Sequence, residues 1–170
     1  MANIADRPRL RWKPAPMRCR VIHAHSKVAA AKRWKAPPKP LYRVTASHCF
    51  GGDSVRAVAD GVEPSSSGDH SVSRLTWWPH LGTTEWLQAD FEEPKEVSRV
   101  QVYWFDDTGR GGCRVPESWR LLARRDGAWV PVETDDAHGV AKDAYNTVSF
   151  EPVTTDALRM EVKLRPDVSG

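Results

Sequence analysis

The stretch that decides the fold is 97-VSRVQVYWFDDTGRGGCRVPESW-119. Its opening residues alternate: Val100, Val102 and Trp104 fall on one side, and Arg99, Gln101, Tyr103 and Phe105 on the other. Successive side chains of a strand point to opposite faces, so this is a strand with one face in a core. The residues that follow include Gly109, Gly111, Gly112 and Pro116. They cannot continue the strand, because Gly weakens strand pairing and Pro lacks the amide donor. The resulting loop carries Asp106, Asp107, Arg110 and Arg114 between stiff flanks, where binding residues commonly sit.

Short strand patterns surround it. Leu41 to Ala46 reads as a first strand, and Asp53 to Ala59 as one helical turn capped by Asp53 or Ser54 and ended by Asp60-Gly61. In Trp86 to Phe91, Leu87, Ala89 and Phe91 share a side, and Glu92-Glu93-Pro94 reads as a turn before the opening strand. Trp119, Leu121 and Ala123 mark a further strand, joined through Asp126-Gly127 to Ala128–Glu133 as a hairpin. A polar connection, Thr134 to Tyr145, leads to a short strand at Asn146 to Phe150. Leu158, Met160, Val162 and Leu164 alternate with Arg159, Glu161, Lys163 and Arg165 as the last strand. Short strands between turn signals, with almost no helix, mean an all-β sandwich or barrel.

The 170 residues suit one domain with a tail, and a hydrophobic fraction of 40% with eight Trp suits a core of large rings. The net charge of +3 hides a division at Pro40. Residues 1–40 hold eleven Lys/Arg and one acid, Asp6, whereas residues 41–170 hold fourteen Lys/Arg and twenty-one Asp/Glu. The first segment, punctuated by Pro8, Pro14, Pro16, Pro37, Pro38 and Pro40, has little apolar surface to offset its ordering entropy and is expected to be disordered. Ser26 to Trp34 alone suits a short basic helix. Such an arm suits nucleic acid or an acidic membrane, though it holds only Trp12 and Trp34 as aromatics. The alternative is a leader foreign to the domain. There is no apolar run long enough for a transmembrane helix, and the stretch Val28 to Ala31 is too short for a signal peptide. Cys19, Cys49 and Cys113 are odd in number and form no CxxC pair, which argues against zinc or a disulfide scaffold. A Cys49–Cys113 bridge and unpaired thiols both stay open.

The order of the pieces resembles a known family. An Asp-Gly turn at Asp60-Gly61 and a polar loop precede Thr76 and Trp78, then WLQADF at 86–91, a V-x-V strand, SWRL at 118–121, Asp126-Gly127 and WVPV at 129–132. This is similar to the discoidin, or coagulation factor 5/8 type C, domain over roughly Val44 to Gly170. The resemblance implies a galactose-binding-like jelly-roll β-sandwich at 41–170. The strings DGVEPSSSGDHS (60–71), TWWPHLGTTEWLQADF (76–91), VYWFDDTGRGGCRVPESWRLL (102–122) and FEPVTTDALRMEV (150–162) resemble more narrowly the C-terminal accessory domain of β-L-arabinofuranosidase-like glycosidases, glycoside hydrolase family 127 and relatives. That implies a non-catalytic module that binds glycan or buttresses a catalytic domain. Nucleic acid is the third partner class and a membrane is not expected. Such relatives act outside the cell or at its envelope. They usually finish with one more strand beside the first, so an open sheet edge and reduced stability are expected of a chain ending at Gly170.

Sugar binding needs a flat aromatic face for the C–H surface of the ring, and paired polar groups for its hydroxyls. Jelly-roll modules place these on loops at one end. The candidates are Trp77 and His80 from one loop and Asp106, Asp107, Arg110 and Arg114 from the central one, with Tyr145 and Asn146 beyond. Of the adjacent tryptophans, Trp78 is expected in the core and Trp77 outside, from the family's buried Thr-x-Trp position. Trp86, Trp104, Trp119 and Trp129 are expected to pack in the core or at its edge. Asp106 and Asp107 either meet a ligand or cap turns and pair with Arg110 and Arg114, so that the loop is a clasp. Glycosidase carboxylates stand roughly 5–10 Å apart across the scissile bond. Neighbouring side chains at a strand end diverge, so catalysis is not expected. Neither a nucleophile elbow, an HExxH motif nor a phosphate loop occurs. The resemblance also implies a possible structural Ca²⁺ near the Asp-Gly turn, with Asp60, Glu63 and Ser67 as candidate oxygens.

Overall fold

The computed structural model describes Arg18–Arg20 and residues 42–170. Apart from Arg18–Arg20, the expectations of a disordered 1–40 segment, a Ser26–Trp34 helix and a nucleic-acid arm lie outside the described residues. The chain is all-β. Its strands are β1 (Arg18–Arg20), β2 (Tyr42–Ala46), β3 (Thr84–Tyr103), β4 (Ser118–Arg125), β5 (Ala128–Pro131) and β6 (Tyr145–Lys163), with a 3-10 turn at Val55–Ala59. Ser54 caps that turn, its hydroxyl accepting from the Arg56 amide at 3.2 Å. Among the described residues no helix is long and apolar enough to cross a membrane.

The framework is a ribbon of β3 and β6, antiparallel from Thr84 opposite Lys163 to Tyr103 opposite Tyr145. The register shifts between Asp90 and Lys95 and between Val97 and Arg99. Such irregularities bend a strand, which lets it pass from one layer of a sandwich to the other. β2 pairs antiparallel with β3 at Leu87–Phe91, and β1 pairs parallel with it at Arg99–Gln101. On the other side β4 pairs with β6, and β5 with β4. The β4–β5 hairpin turns on Asp126 and Gly127, with φ of 50° and 80°. That is the pair of left-handed residues a two-residue hairpin loop requires.

Two boundaries differ from the sequence reading. Glu92-Glu93-Pro94 does not separate two strands but lies within β3, in the irregular stretch where Pro needs no ladder partner. The strands expected at Asn146 to Phe150 and from Leu158 are one strand, β6. Its inward positions run Asn146, Val148, Phe150, then Val153, Thr155, Ala157, then Leu158, Met160, Val162. The alternation slips phase twice, so a period-2 reading sees separate pieces where the backbone ladder continues.

Val97, Val102, Val148, Val162 and Leu164 centre the core, each 2% exposed or less, and burying each side chain is worth about 1.5–3 kcal/mol. Trp104 and Trp119 meet edge to face at 5.9 Å, and both indole N–H groups donate to the Gly139 carbonyl, at 3.1 and 2.8 Å. This pins the 132–144 connection across the end of the sandwich. Asn146 completes the clamp: its side chain bonds the Ala141 amide at 2.8 Å and carbonyl at 2.9 Å. It is buried and structural rather than a ligand contact. A Cβ at Gly139 would stand 2.6 Å from Asn146 Oδ1, so only glycine fits there.

Candidate functional site

The central loop is built by its two aspartates. Asp106 Oδ1 accepts from the Thr108 amide at 3.0 Å and from its hydroxyl, and Oδ2 from the Val115 amide at 3.2 Å. Lys142 Nζ stands 3.5 Å away. Burial alone would raise the pKa of Asp106, but the Thr108 and Val115 donors and Lys142 outweigh it and hold the carboxyl below its ordinary value. Asp107 Oδ1 accepts from the Cys113 amide at 2.8 Å and stands 3.4 Å from Arg114, while His70 Nε2 lies 3.6 Å from Oδ2. Its carbonyl receives the Arg110 and Gly111 amides at 2.8 and 2.9 Å, closing a tight turn. A Cβ at Gly111 would lie 2.0 Å from Asp107 Oδ2. Glycine at 111 is therefore what lets the carboxylate reach Cys113.

The two arginines part company. Arg114 bonds the Gly111 and Cys113 carbonyls at 3.0 and 2.6 Å and braces the loop from within. Arg110 is exposed, and among the described residues its guanidinium has no partner. Of the two alternatives for the aspartates, the clasp is therefore the one the contacts build, with Arg114 in it and Arg110 outside it. The chain's tail backs the clasp: the Ser169 carbonyl accepts from the Arg114 amide at 2.8 Å, and Gly170 O from the Trp77 amide at 2.6 Å.

The expected roles of the adjacent tryptophans are reversed. Trp77 is buried at 5% and belongs to the core, whereas Trp78 is 39% exposed. The segment around Thr76–Trp77 is not a regular strand, so alternation does not apply and Thr76 and Trp77 are buried in succession. Thr76 donates its hydroxyl to Asp53 at 2.7 Å, which draws it inward. Trp78 lies against the central loop, since a Cβ at Gly112 would meet its Cζ3 at 2.7 Å. His48 Nε2 donates to the Trp78 carbonyl at 2.8 Å, and the His48 and His80 rings stack at 4.2 Å. His80 Nδ1 donates to Glu85 Oε1 at 2.7 Å, and the Ser47 and Thr83 hydroxyls also donate to that carboxylate. Burial opposes the ionised form of Glu85, but these donors prevail and keep its pKa below the usual value. His80 thus supports Trp78 through His48.

The structure brings Trp78, His80 and the Asp106–Arg114 loop together, and it leaves the remaining candidates elsewhere. Tyr145 donates its hydroxyl to Glu63 at 3.1 Å and packs edge-on against Tyr103 at 5.4 Å. The proposed calcium oxygens do not fit that ion. Ca²⁺ takes six to eight oxygens. Asp60 is spent on the Val62 amide at 2.8 Å, Glu63 meets Tyr145, and the buried Ser67 hydroxyl accepts from the Asp143 amide at 2.9 Å. Among the described residues no three His, Cys, Asp or Glu side chains form a metal-holding group. Cys49 and Cys113 are both free thiols, and burial pushes Cys113 up to about 11.

Sequence reasoning missed the exposed apolar rim. Among the described residues, the large hydrophobic side chains left exposed are Phe50, Trp78 and Leu81, at 40, 39 and 51%. The Phe50 amide donates to the Thr76 carbonyl at 3.0 Å, and Leu81 follows His80, so all three belong to this end of the sandwich. No strand pattern covers residues 47–52 or 78–83, so the sequence carried no signal for which of their side chains the core would leave out.

A sequence model described as the F5/8 type C domain matches residues 43–168. Solved structures share the fold. A chain of the Streptococcus pneumoniae β-galactosidase BgaA superposes with a TM-score of 0.62 at 20% identity, over 81% of this chain and 91% of that one. Chitosan-binding modules 1 and 2 of a Paenibacillus sp. IK-5 chitosanase/glucanase each give 0.51, at 16 and 15% identity. Module 1 covers 75% of this chain and 87% of its own, and module 2, solved with chitotriose, covers 77 and 90%. No curated protein matches at a significant level.

Proposed function

The chain belongs to the F5/8 type C domain family, and on that footing we propose that its sandwich is a non-catalytic carbohydrate-binding module that seats a sugar against Trp78. The observation that carries this reading is the Trp78 ring, 39% exposed and placed beside Gly112 while its neighbour Trp77 is anchored in the core. An exposed indole of fixed orientation suits the C–H face of a sugar, because ring and sugar meet with little ordering cost. The chitosan-binding modules with the same fold support it. So does the resemblance to the accessory domains of β-L-arabinofuranosidase-like glycosidases, on which the module would travel with a glycoside hydrolase. Asp106 and Asp107 serve as neither acid nor nucleophile in this reading, since both are buried and fixed in the loop by the Thr108, Val115 and Cys113 amides, Lys142 and Arg114.

Binding to a panel of pentose and hexose glycans, measured for the chain and for Trp78→Ala, tests the reading. Loss of binding at an unchanged melting temperature is expected, and full retention overturns it. A second reading rests on Phe50 and Leu81, which widen the apolar rim beyond what one sugar ring needs. Here the rim buttresses a glycosidase catalytic domain. Silence on every glycan, with tight association to such a domain, would select it.

A further inference from the structure

The clasp that shapes the proposed sugar site also sets its charge. Four carboxylates lie at this end, Asp53, Glu85, Asp106 and Asp107, and all four side chains are buried. Each is also engaged: Asp53 by Thr76 and Arg74, Glu85 by Ser47, Thr83 and His80, Asp106 by Thr108, Val115 and Lys142, and Asp107 by Cys113 and Arg114. They are turned inward, and even Asp107 Oδ2, which takes no hydrogen bond among the described residues, lies buried 3.6 Å from His70 Nε2. The exposed carboxylates of adjoining segments include Glu117, just before β4, Asp143, which accepts from the Ser67 amide beside Lys142, and Asp167, in the tail beyond Arg165. The loop tip beside Trp78 instead presents the unpaired Arg110, two residues before the Gly112 against which the indole rests. The loop tip beside the indole therefore presents positive charge, whereas a cationic amino sugar would call for an open carboxylate at that point.

Resting on the carbohydrate-binding reading, we propose that the ligand of this site is an acidic sugar, with its ring on Trp78 and its carboxylate or sulfate on Arg110. A guanidinium fits either anion with paired N–H donors. Arg110 stands on a turn closed by two amides on the Asp107 carbonyl, so its backbone is placed before the ligand arrives. Arg110 would thus decide specificity, and Trp78 would supply the part of affinity common to all sugars.

The test measures affinity for polygalacturonate, a sulfated galactan, neutral galactan and neutral arabinan, using the chain, Arg110→Gln and Trp78→Ala. At low salt, an acidic polymer should bind about tenfold or more tighter than the neutral ones, as one charge-assisted contact provides. Arg110→Gln should remove that margin while leaving neutral binding within about twofold. Preference for polygalacturonate identifies the anion as a carboxylate, and preference for the sulfated galactan identifies it as a sulfate. Equal affinity for acidic and neutral glycans, or a margin that survives Arg110→Gln, overturns the proposal while a Trp78-dependent neutral affinity keeps the module reading. Binding to phosphatidylserine vesicles with no glycan binding overturns both.

Discussion

On the outer face of the sheet, Trp86 and Trp129 flank the Arg159 guanidinium at 4.7 and 4.3 Å, and Arg159 is held by Gln88 at 2.7 Å. Gln88 donates to Asp90, and Arg124 joins Asp90 to Asp156 at 3.6 and 2.8 Å. At the loop end, Trp78 rests on a glycine, and among the described residues no guanidinium covers it. Both regions place tryptophans outside the core. In the first the rings and charges satisfy one another across the strands, as cross-strand neighbours do. In the second the charges are satisfied beneath the ring, and the ring is left over. Surface aromatics therefore mark a site only where the neighbouring polar groups are already spent on something else.

The contrast can be attacked at several points. Trp77→Ala should cost about 3–5 kcal/mol, the usual loss for a buried indole, whereas Trp78→Ala should leave the denaturation midpoint nearly unmoved. Equal losses in chemical denaturation would erase the distinction between the two neighbours. Gly111→Ala should cost about 1–3 kcal/mol, because its Cβ displaces the Asp107 carboxylate and leaves the buried Cys113 amide unpaired. Gly112→Ala acts on the other side of the loop, pressing on the Trp78 ring. It should weaken glycan affinity several-fold with a smaller stability loss. Trp129→Ala should cost about 1 kcal/mol through lost contact with Arg159 and leave glycan affinity unchanged. A drop in affinity would make the outer face part of the site.

Acid should loosen the His138 packing first and the carboxylates of the loop end second. Burial lowers the pKa of His138, which packs edge-on to Trp119 at 4.7 Å, below its ordinary 6.5. A group with a depressed folded pKa contributes stability above its unfolded value and loses it as pH falls. Stability should therefore start to decline below about pH 6.5, and His138→Gln should flatten that part of the profile. Asp106, depressed from 3.8, and Glu85, depressed from 4.5, contribute above those values. They should add a second decline below about pH 4. Urea midpoints taken every half unit would show the two steps, and a profile level down to pH 4 would contradict the first.

Much of the sandwich is legible in residue order. Val100, Val102 and Trp104 face the core as their alternation requires, Asp126-Gly127 makes the hairpin its chemistry predicts, and Ser54 caps the short turn. Elements defined by one backbone period or one turn conformation can be read locally, because the physics that forms them is local. The continuity of β6 could not be read that way, since its bulges shift the phase of the pattern while the ladder to β3 carries on. At the site, the candidates Asp106, Asp107 and Arg114 are recognisable as a charged loop, but not as groups spent on Thr108, Cys113 and one another.

By itself, then, the sequence determined the strand faces, the hairpin, the glycine-rich loop and the family to which the chain belongs. Each follows from side-chain periodicity or from the few residues that tolerate a given turn. Tertiary structure alone decided that Trp77 goes in and Trp78 stays out, and that among the described residues Arg114 pairs while Arg110 does not. Those choices depend on the Gly170 carbonyl and on Gly112 and the Cys113 amide of the central loop, two parts of the chain that meet the Trp77–Trp78 segment only in the fold. No local pattern encodes them, because they are settled by which groups the folded backbone brings within hydrogen-bonding distance.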